Sequence, residues 1–100
     1  MDLNRIEKME KILDDHGVVV NEFRKSLTKF MDSQRDYQEL KKYYLSEEYI
    51  EDVEASNSPN FPKNIKCGVL SQDAVFDLIG ENYDMAIRML EAATELIKNH

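Results

Sequence analysis

The sequence predicts an all-α protein in which a long N-terminal helix packs antiparallel with a C-terminal helix, as a helical hairpin or bundle. Two stretches of the chain carry apolar residues at alternating intervals of three and four, which is the spacing of an amphipathic helix. The composition agrees: 33% of the residues are charged, and only three glycines and two prolines occur. One hundred residues are typical of a single domain, so we predict one helical domain over residues 1–100.

The N-terminal helix is predicted over about residues 3–45, with Asp2 or Asn4 as its cap. Taking Ile6 as heptad position a, the a and d positions are Ile6, Met9, Leu13, His16, Val20, Phe23, Leu27, Phe30, Gln34, Tyr37, Lys41 and Tyr44. All but three of them are apolar or aromatic. A 3.5-residue repeat of this length indicates a helix that buries its seam against other helices, as in a coiled coil or bundle.

Gly17, followed by three valines, is the weak point of this helix. Glycine costs about 1 kcal/mol relative to alanine inside a helix, and β-branched residues are poorer helix formers. The heptad phase nevertheless continues through Gly17 without a shift. We therefore predict a continuous helix, with a kink or break at Gly17 as the alternative.

The middle of the chain contains a short predicted helix and a loop. Ser46 followed by Glu47 and Glu48 is typical of a helix start, so a short helix is predicted over about residues 47–54. Residues 55–70 form a predicted loop with two prolines, and Phe61 between them is expected to anchor the loop to the core.

The C-terminal helix is predicted over about residues 72–98, with Ser71 as its N-cap. Its a and d positions are Val75, Leu78, Asn82, Met85, Met89, Ala92 and Leu96. The two long helices differ in length: residues 6–44 would span about 58 Å, and residues 72–98 about 40 Å. Antiparallel pairing would therefore leave Ile6, Met9 and Leu13 uncovered. Either a break near Gly17 folds the first segment back, or a second chain covers it, and we predict a homodimer.

The net charge of −7 is unevenly distributed and limits the classes of partner. Residues 46–58 contain five acidic side chains and no basic one. Direct nucleic-acid binding is disfavoured, because phosphate contacts need clustered Lys and Arg. The single cysteine, Cys67, cannot form an internal disulfide, which fits a reducing compartment. No apolar signal core or bilayer-spanning run occurs, so we predict a cytoplasmic protein that binds no membrane.

Motifs that carry catalysis are missing. The chain has no Gly-rich phosphate loop, His-Glu-x-x-His, Gly-x-Ser-x-Gly or Cys-x-x-Cys. We therefore predict that the protein is not an enzyme and assign no catalytic residue and no cofactor. Asp73, Asp77 and Glu81 recur at intervals of four and are weak candidate ligands for a hard cation such as Mg²⁺. A solvated acidic face is the favoured interpretation of these three residues.

Four tyrosines occur within the thirteen residues 37–49. Their rings could stack on a base or grip a peptide, but packing at the end of a bundle is the favoured interpretation. We place the candidate interaction surface at two locations. Its residues are Ile6, Met9 and Leu13 on the first helix, and Tyr49, Glu51, Asp52, Asp73 and Asp77 at the aromatic and acidic end of the bundle.

Several strings resemble a known family. They are Asn-Arg-Ile-Glu-Lys-Met-Glu at 4–10, Glu-Tyr-Ile-Glu-Asp-Val-Glu at 48–54, Gly-Val-Leu-Ser-Gln-Asp at 68–73, Asp-Leu-Ile-Gly-Glu-Asn at 77–82 and Ala-Ile-Arg-Met-Leu at 86–90. Together they resemble a family of short helical proteins from Gram-positive bacteria that is catalogued as a domain of unknown function. The resemblance implies a bacterial origin and a helical fold, and it brings no activity or site residue.

Three functional hypotheses remain. The first is a non-catalytic cytoplasmic helical protein that acts through protein–protein contact, including contact with itself. The second is a carboxylate-based divalent-metal binder or enzyme at the acidic region 46–81. The third is an acidic decoy that occupies the basic groove of a nucleic-acid-binding protein, which the charge of −7 and the long helical shape motivate.

Overall fold

The computed structural model describes residues 1–100 and contains three α-helices, one 3₁₀ turn and no strand. The helices are α1 (Leu3–Tyr44), α2 (Glu47–Ser56) and α3 (Ala74–Lys98), and the 3₁₀ turn is Gly68–Leu70. The predicted fold class is confirmed: the protein is all-α, with a long N-terminal helix, a C-terminal helix and a short helix between them. None of the helices is both long enough and apolar enough to cross a membrane.

The chain divides into two compact units, Met1–Tyr37 and Gln38–His100, which we call the N-terminal unit and the C-terminal unit. The N-terminal unit consists of α1 up to Tyr37. The C-terminal unit contains the last turns of α1, then α2, the 3₁₀ turn and α3. The antiparallel packing of the two long helices and the single-domain organisation stay predictions.

The N-terminal unit begins with a capped helix end. The backbone N–H of Arg5 donates to Oδ1 of Asp2 at 3.1 Å, which satisfies one of the free donors of the first turn. The helix then continues through Gly17 and the three valines, and no residue of the chain has a positive φ. The prediction of a continuous helix is confirmed, and the alternative of a break at Gly17 is wrong.

In the C-terminal unit, α2 starts where the sequence predicts. Ser46 is extended (φ −98°, ψ 163°), and its Oγ accepts a hydrogen bond from the backbone N–H of Tyr49 at 3.3 Å. Glu47 and Glu48 occupy the first turn, where the helix dipole favours negative charge. The helix ends at Ser56, two residues beyond the predicted end at residue 54.

The start of α3 differs from the prediction. Ser71 is not its N-cap, because Ser71 closes the 3₁₀ turn: its backbone N–H and its Oγ both donate to the carbonyl oxygen of Gly68, at 3.1 and 2.7 Å. The helix begins at Ala74, and the N-cap position belongs to Asp73, whose side chain makes no capping hydrogen bond. The prediction that Ser71 caps α3 is wrong, because the hydrogen bonds of Ser71 are made within the 3₁₀ turn.

The 3₁₀ turn organises the packing of the C-terminal unit. It contacts both α2 and α3, so it links these two helices. Val75, in the first turn of α3, is the only buried hydrophobic residue, with 3% of its surface exposed. The half-buried apolar and aromatic side chains between the end of α1 and the 3₁₀ turn include Tyr43, Tyr44, Tyr49, Val53, Phe61 and Leu70.

Candidate functional site

An apolar seam lies exposed along the N-terminal unit. We call it the α1 seam and define it by the a and d positions Ile6, Met9, Leu13, His16, Val20, Phe23, Leu27 and Phe30. Leu13 and Phe23 are 66% and 61% exposed, and Leu27 is 37% exposed. Since the unit contains no second element, nothing within it can cover these side chains.

Within the N-terminal unit the exposed stretch continues past Leu13. Ile6, Met9 and Leu13 are exposed, Val20 and Phe23 are exposed as well, and Phe30 is half-buried. Two further apolar residues, Ile12 and Val19, occupy g positions beside the seam and are also exposed. The apolar face therefore runs along about seven helical turns, which is the width and length of a helix-packing surface.

A tyrosine cluster lies where α1 meets α2. The ring of Tyr49 packs edge-on against Tyr43, with centroids 5.5 Å apart, and against Tyr44, with centroids 5.0 Å apart. The hydroxyl of Tyr49 donates to the carbonyl oxygen of Ser71 at 3.3 Å. Such aromatic contacts stabilise a junction beyond the area that they bury. The ring contacts therefore hold α2 against the end of α1, and the hydroxyl of Tyr49 connects α2 to the segment before α3.

Tyr43 also makes a short polar contact with α2. Its hydroxyl donates to Oδ2 of Asp52 at 2.5 Å. This hydrogen bond, together with desolvation and the negative charge of Asp52, raises the pKa of Tyr43 from 10.0 to about 12. Asp52, one of the predicted surface residues, thus has a specific partner.

A small open cavity of about 290 Å³ lies next to this contact, within the C-terminal unit. Its lining is mostly apolar and carries one carboxylate, one ammonium group and one thiol. The lining residues are Tyr43, Asp52, Ala55, Phe61, Ile65, Lys66, Cys67, Val69 and Leu70. The volume is at the lower limit for small-molecule sites. Sequence reasoning anticipated that Phe61 anchors the loop, but no spacing signal links Tyr43 and Lys66 to one cavity.

The predicted acidic residues are brought together only in part. Tyr49 and Asp52 both contact Tyr43, whereas Glu51 is exposed on α2. Asp73 precedes α3, and Asp77 and Glu81 follow on its exposed surface. No group of three His, Cys, Asp or Glu side chains has the arrangement to hold a metal ion. The weak metal candidates Asp73, Asp77 and Glu81 do not form such a group.

Comparison with known proteins gives a family and no activity. No curated protein matches the chain at a significant level. One family model matches residues 6–92, which include nearly all of α1, the whole of α2 and the 3₁₀ turn, and most of α3. This match extends over most of the strings that carry the resemblance in the sequence. The chain therefore belongs to the family described as domain of unknown function (DUF4298).

Proposed function

We propose that this protein is a non-catalytic helical protein that acts through protein–protein contact, and that it associates with a second copy of itself through the α1 seam. One observation carries the proposal: α1 is continuous, and its seam is exposed from Ile6 to Leu27 in a unit with no second element. The family adds no activity that would compete with this proposal.

The energetics of the α1 seam support a partner. An isolated helix gains little stability by itself and depends on packing of its apolar face. Burial of an aliphatic or aromatic side chain contributes about 1.5–3 kcal/mol, which corresponds to roughly 60–120 Å². The apolar seam residues of two chains would then bury on the order of 1,000 Å², which is the size expected of a specific interface.

The continuity of α1 supports a second copy over a fold-back. The sequence left two ways to cover Ile6, Met9 and Leu13: a break near Gly17, or another chain. The helix passes through Gly17 unbroken, so the first segment does not fold back on itself. A second copy carries the same heptad repeat, and two such repeats can interdigitate as knobs into holes.

The test compares two substitutions on the same helix. Leu13→Glu places a charge in the α1 seam, whereas Val18→Glu places the same charge at heptad position f, away from it. Both residues are more than half exposed, at 66% and 57%. Light scattering after gel filtration at micromolar concentration should give a dimer mass for the wild type and for Val18→Glu, and a monomer mass for Leu13→Glu. Equal masses for both variants would contradict the proposal.

The proposal includes a cytoplasmic location, which the free and exposed thiol of Cys67 supports, because unpaired cysteines are typical of reducing compartments. The competing hypotheses gain no support from geometry. A metal binder at residues 46–81 lacks three converging ligands, and the acidic decoy has only the net charge of −7 in its favour.

A further inference from the structure

We propose that the two α1 helices pair antiparallel in one specific register; this inference rests on the proposed self-association. In this register the two copies of Val18 lie at the same level along the helix pair. Each a position of one copy is then opposite a d position of the other. The resulting layers are Ile6 with Phe30, Met9 with Leu27, Leu13 with Phe23 and His16 with Val20, each occurring twice by symmetry.

The sizes of the side chains favour this pairing. The N-terminal half of the α1 seam is aliphatic, with Ile6 and Leu13, whereas its C-terminal half contains both phenylalanines, Phe23 and Phe30. Antiparallel pairing puts each aromatic ring against an aliphatic side chain, which keeps the volume of successive layers even. A parallel pair would put each phenylalanine against its own copy and would place His16 beside another His16.

The charges beside the α1 seam select the register. Position e contains Glu10, Gly17 and Arg24, and e positions face each other across an antiparallel pair. The proposed register places Glu10 opposite Arg24 of the second copy at both ends of the contact. A shift of one heptad would instead place Glu10 opposite Gly17 or Met31, and both ion pairs would be lost.

The net charge of the remaining chain favours the antiparallel direction. Residues 38–100 carry twelve acidic and six basic side chains, a net charge of −6. A parallel pair would attach two such segments at the same end of the helix pair, where they repel within the Debye length of about 8 Å. An antiparallel pair attaches them at opposite ends. A parallel pair could form an ion pair between Arg5 of one copy and Glu10 of the other, so ion pairs alone do not distinguish the two directions. The side-chain sizes in the layers and the net charge of residues 38–100 favour the antiparallel direction.

Disulfide trapping tests the direction in the full chain. Leu13→Cys and Phe23→Cys are each made together with Cys67→Ser, which removes the exposed native thiol. A disulfide needs Cα atoms within about 7 Å. Under mild oxidation the mixed proteins should form a disulfide that joins position 13 of one copy to position 23 of the other, and each variant alone should stay unlinked.

Two other outcomes of the trapping would each overturn a different claim. Links within each variant alone would overturn the antiparallel direction and leave self-association intact. Monomer masses for both variants and for the wild type would overturn the proposed function as well.

A charge exchange tests the register. Glu10→Arg and Arg24→Glu each replace two attractive pairs by two repulsive ones, so each should weaken dimerisation on the order of tenfold. The double variant restores opposite charges at both pairs and should return the dimerisation constant to near the wild-type value. In a parallel dimer Arg24 would face Val19 and could not rescue Glu10→Arg. A double variant as weak as Glu10→Arg would therefore overturn the register.

Discussion

The hydroxyl of Tyr43, in the last turn of α1, donates a 2.5 Å hydrogen bond to the carboxylate of Asp52, in the second turn of α2. Only Leu45 and Ser46 separate the two helices, so this contact fixes the direction in which α2 leaves α1. The ring of Tyr43 also packs edge-on against Tyr49. Tyr43 therefore makes one polar and one aromatic contact across this junction, and Tyr44 adds a second aromatic contact with Tyr49.

Asp52→Asn should lower the pKa of Tyr43 from about 12 toward 10, because the negative acceptor that stabilises the protonated phenol is removed. Ultraviolet absorbance of the phenolate follows this titration. Glu51→Gln, one residue away on the same helix, removes the same charge without touching the hydroxyl and serves as the control. An unchanged alkaline titration in Asp52→Asn would contradict the contact.

The same contact makes stability depend on alkaline pH. The pKa of Tyr43 is raised in the folded protein, so folding favours the protonated phenol. The stabilisation is fully present below pH 10 and is lost as the pH rises toward about 12. Chemical denaturation across this interval should show a loss of stability in the wild type that Tyr43→Phe lacks. Parallel pH profiles for the two proteins would argue against the linkage.

Ser46→Ala should destabilise the protein by about 1 kcal/mol, because the N–H of Tyr49 loses its capping acceptor. Ser71→Ala is the matched control. Sequence alone predicts that Ser71 caps α3, but in the structure its Oγ donates to the carbonyl of Gly68 and caps no α-helix. Urea denaturation should therefore give a larger loss for Ser46→Ala than for Ser71→Ala, and the reverse order would contradict the assignment.

Gly17→Ala should stabilise α1 by up to about 1 kcal/mol, since alanine is the better helix former. A Cβ atom at this position would lie in open space within the same chain, so no contact of the chain with itself opposes the gain. Gly80→Ala in α3 has the same open surroundings and should give a similar gain. Circular dichroism during thermal unfolding measures both. A loss of stability in Gly17→Ala alone would indicate that Gly17 bends the helix.

Mg²⁺, Mn²⁺ and Ca²⁺ should leave the thermal midpoint unchanged at millimolar concentration, because Asp73, Asp77 and Glu81 do not converge on one point. A ligand that binds only the folded state must raise the midpoint. Asp77→Asn provides the control for a general effect of ionic strength. A rise that occurs in the wild type and disappears in Asp77→Asn would revive the metal hypothesis.

Periodicity predicted the helices well because it is a property of long segments. The heptad phase carried α1 through Gly17, where residue propensities alone would have argued for a break. Ser46 can be recognised as a cap because its side chain accepts a hydrogen bond from the backbone N–H of Tyr49, three residues along, and because the following glutamates interact favourably with the helix dipole. Features that depend on local sequence can therefore be predicted from the sequence alone.

Features that depend on how neighbouring turns share hydrogen bonds, or on contacts between distant segments, could not be predicted from the sequence. Ser71 has the sequence context of a cap, yet its Oγ donates to the carbonyl oxygen of Gly68 in the 3₁₀ turn Gly68–Leu70. As a result, α3 begins only at Ala74. The cavity beside Tyr43 combines residues from α1, α2 and the loop, and no spacing rule connects them.

Sedimentation equilibrium of the wild-type chain at micromolar concentration tests the central claim most directly. If the α1 seam binds a second copy, the measured mass should be twice the 11.7 kDa of the chain, and it should decrease toward the mass of one chain on dilution. A mass of 11.7 kDa at every concentration would contradict self-association through the α1 seam.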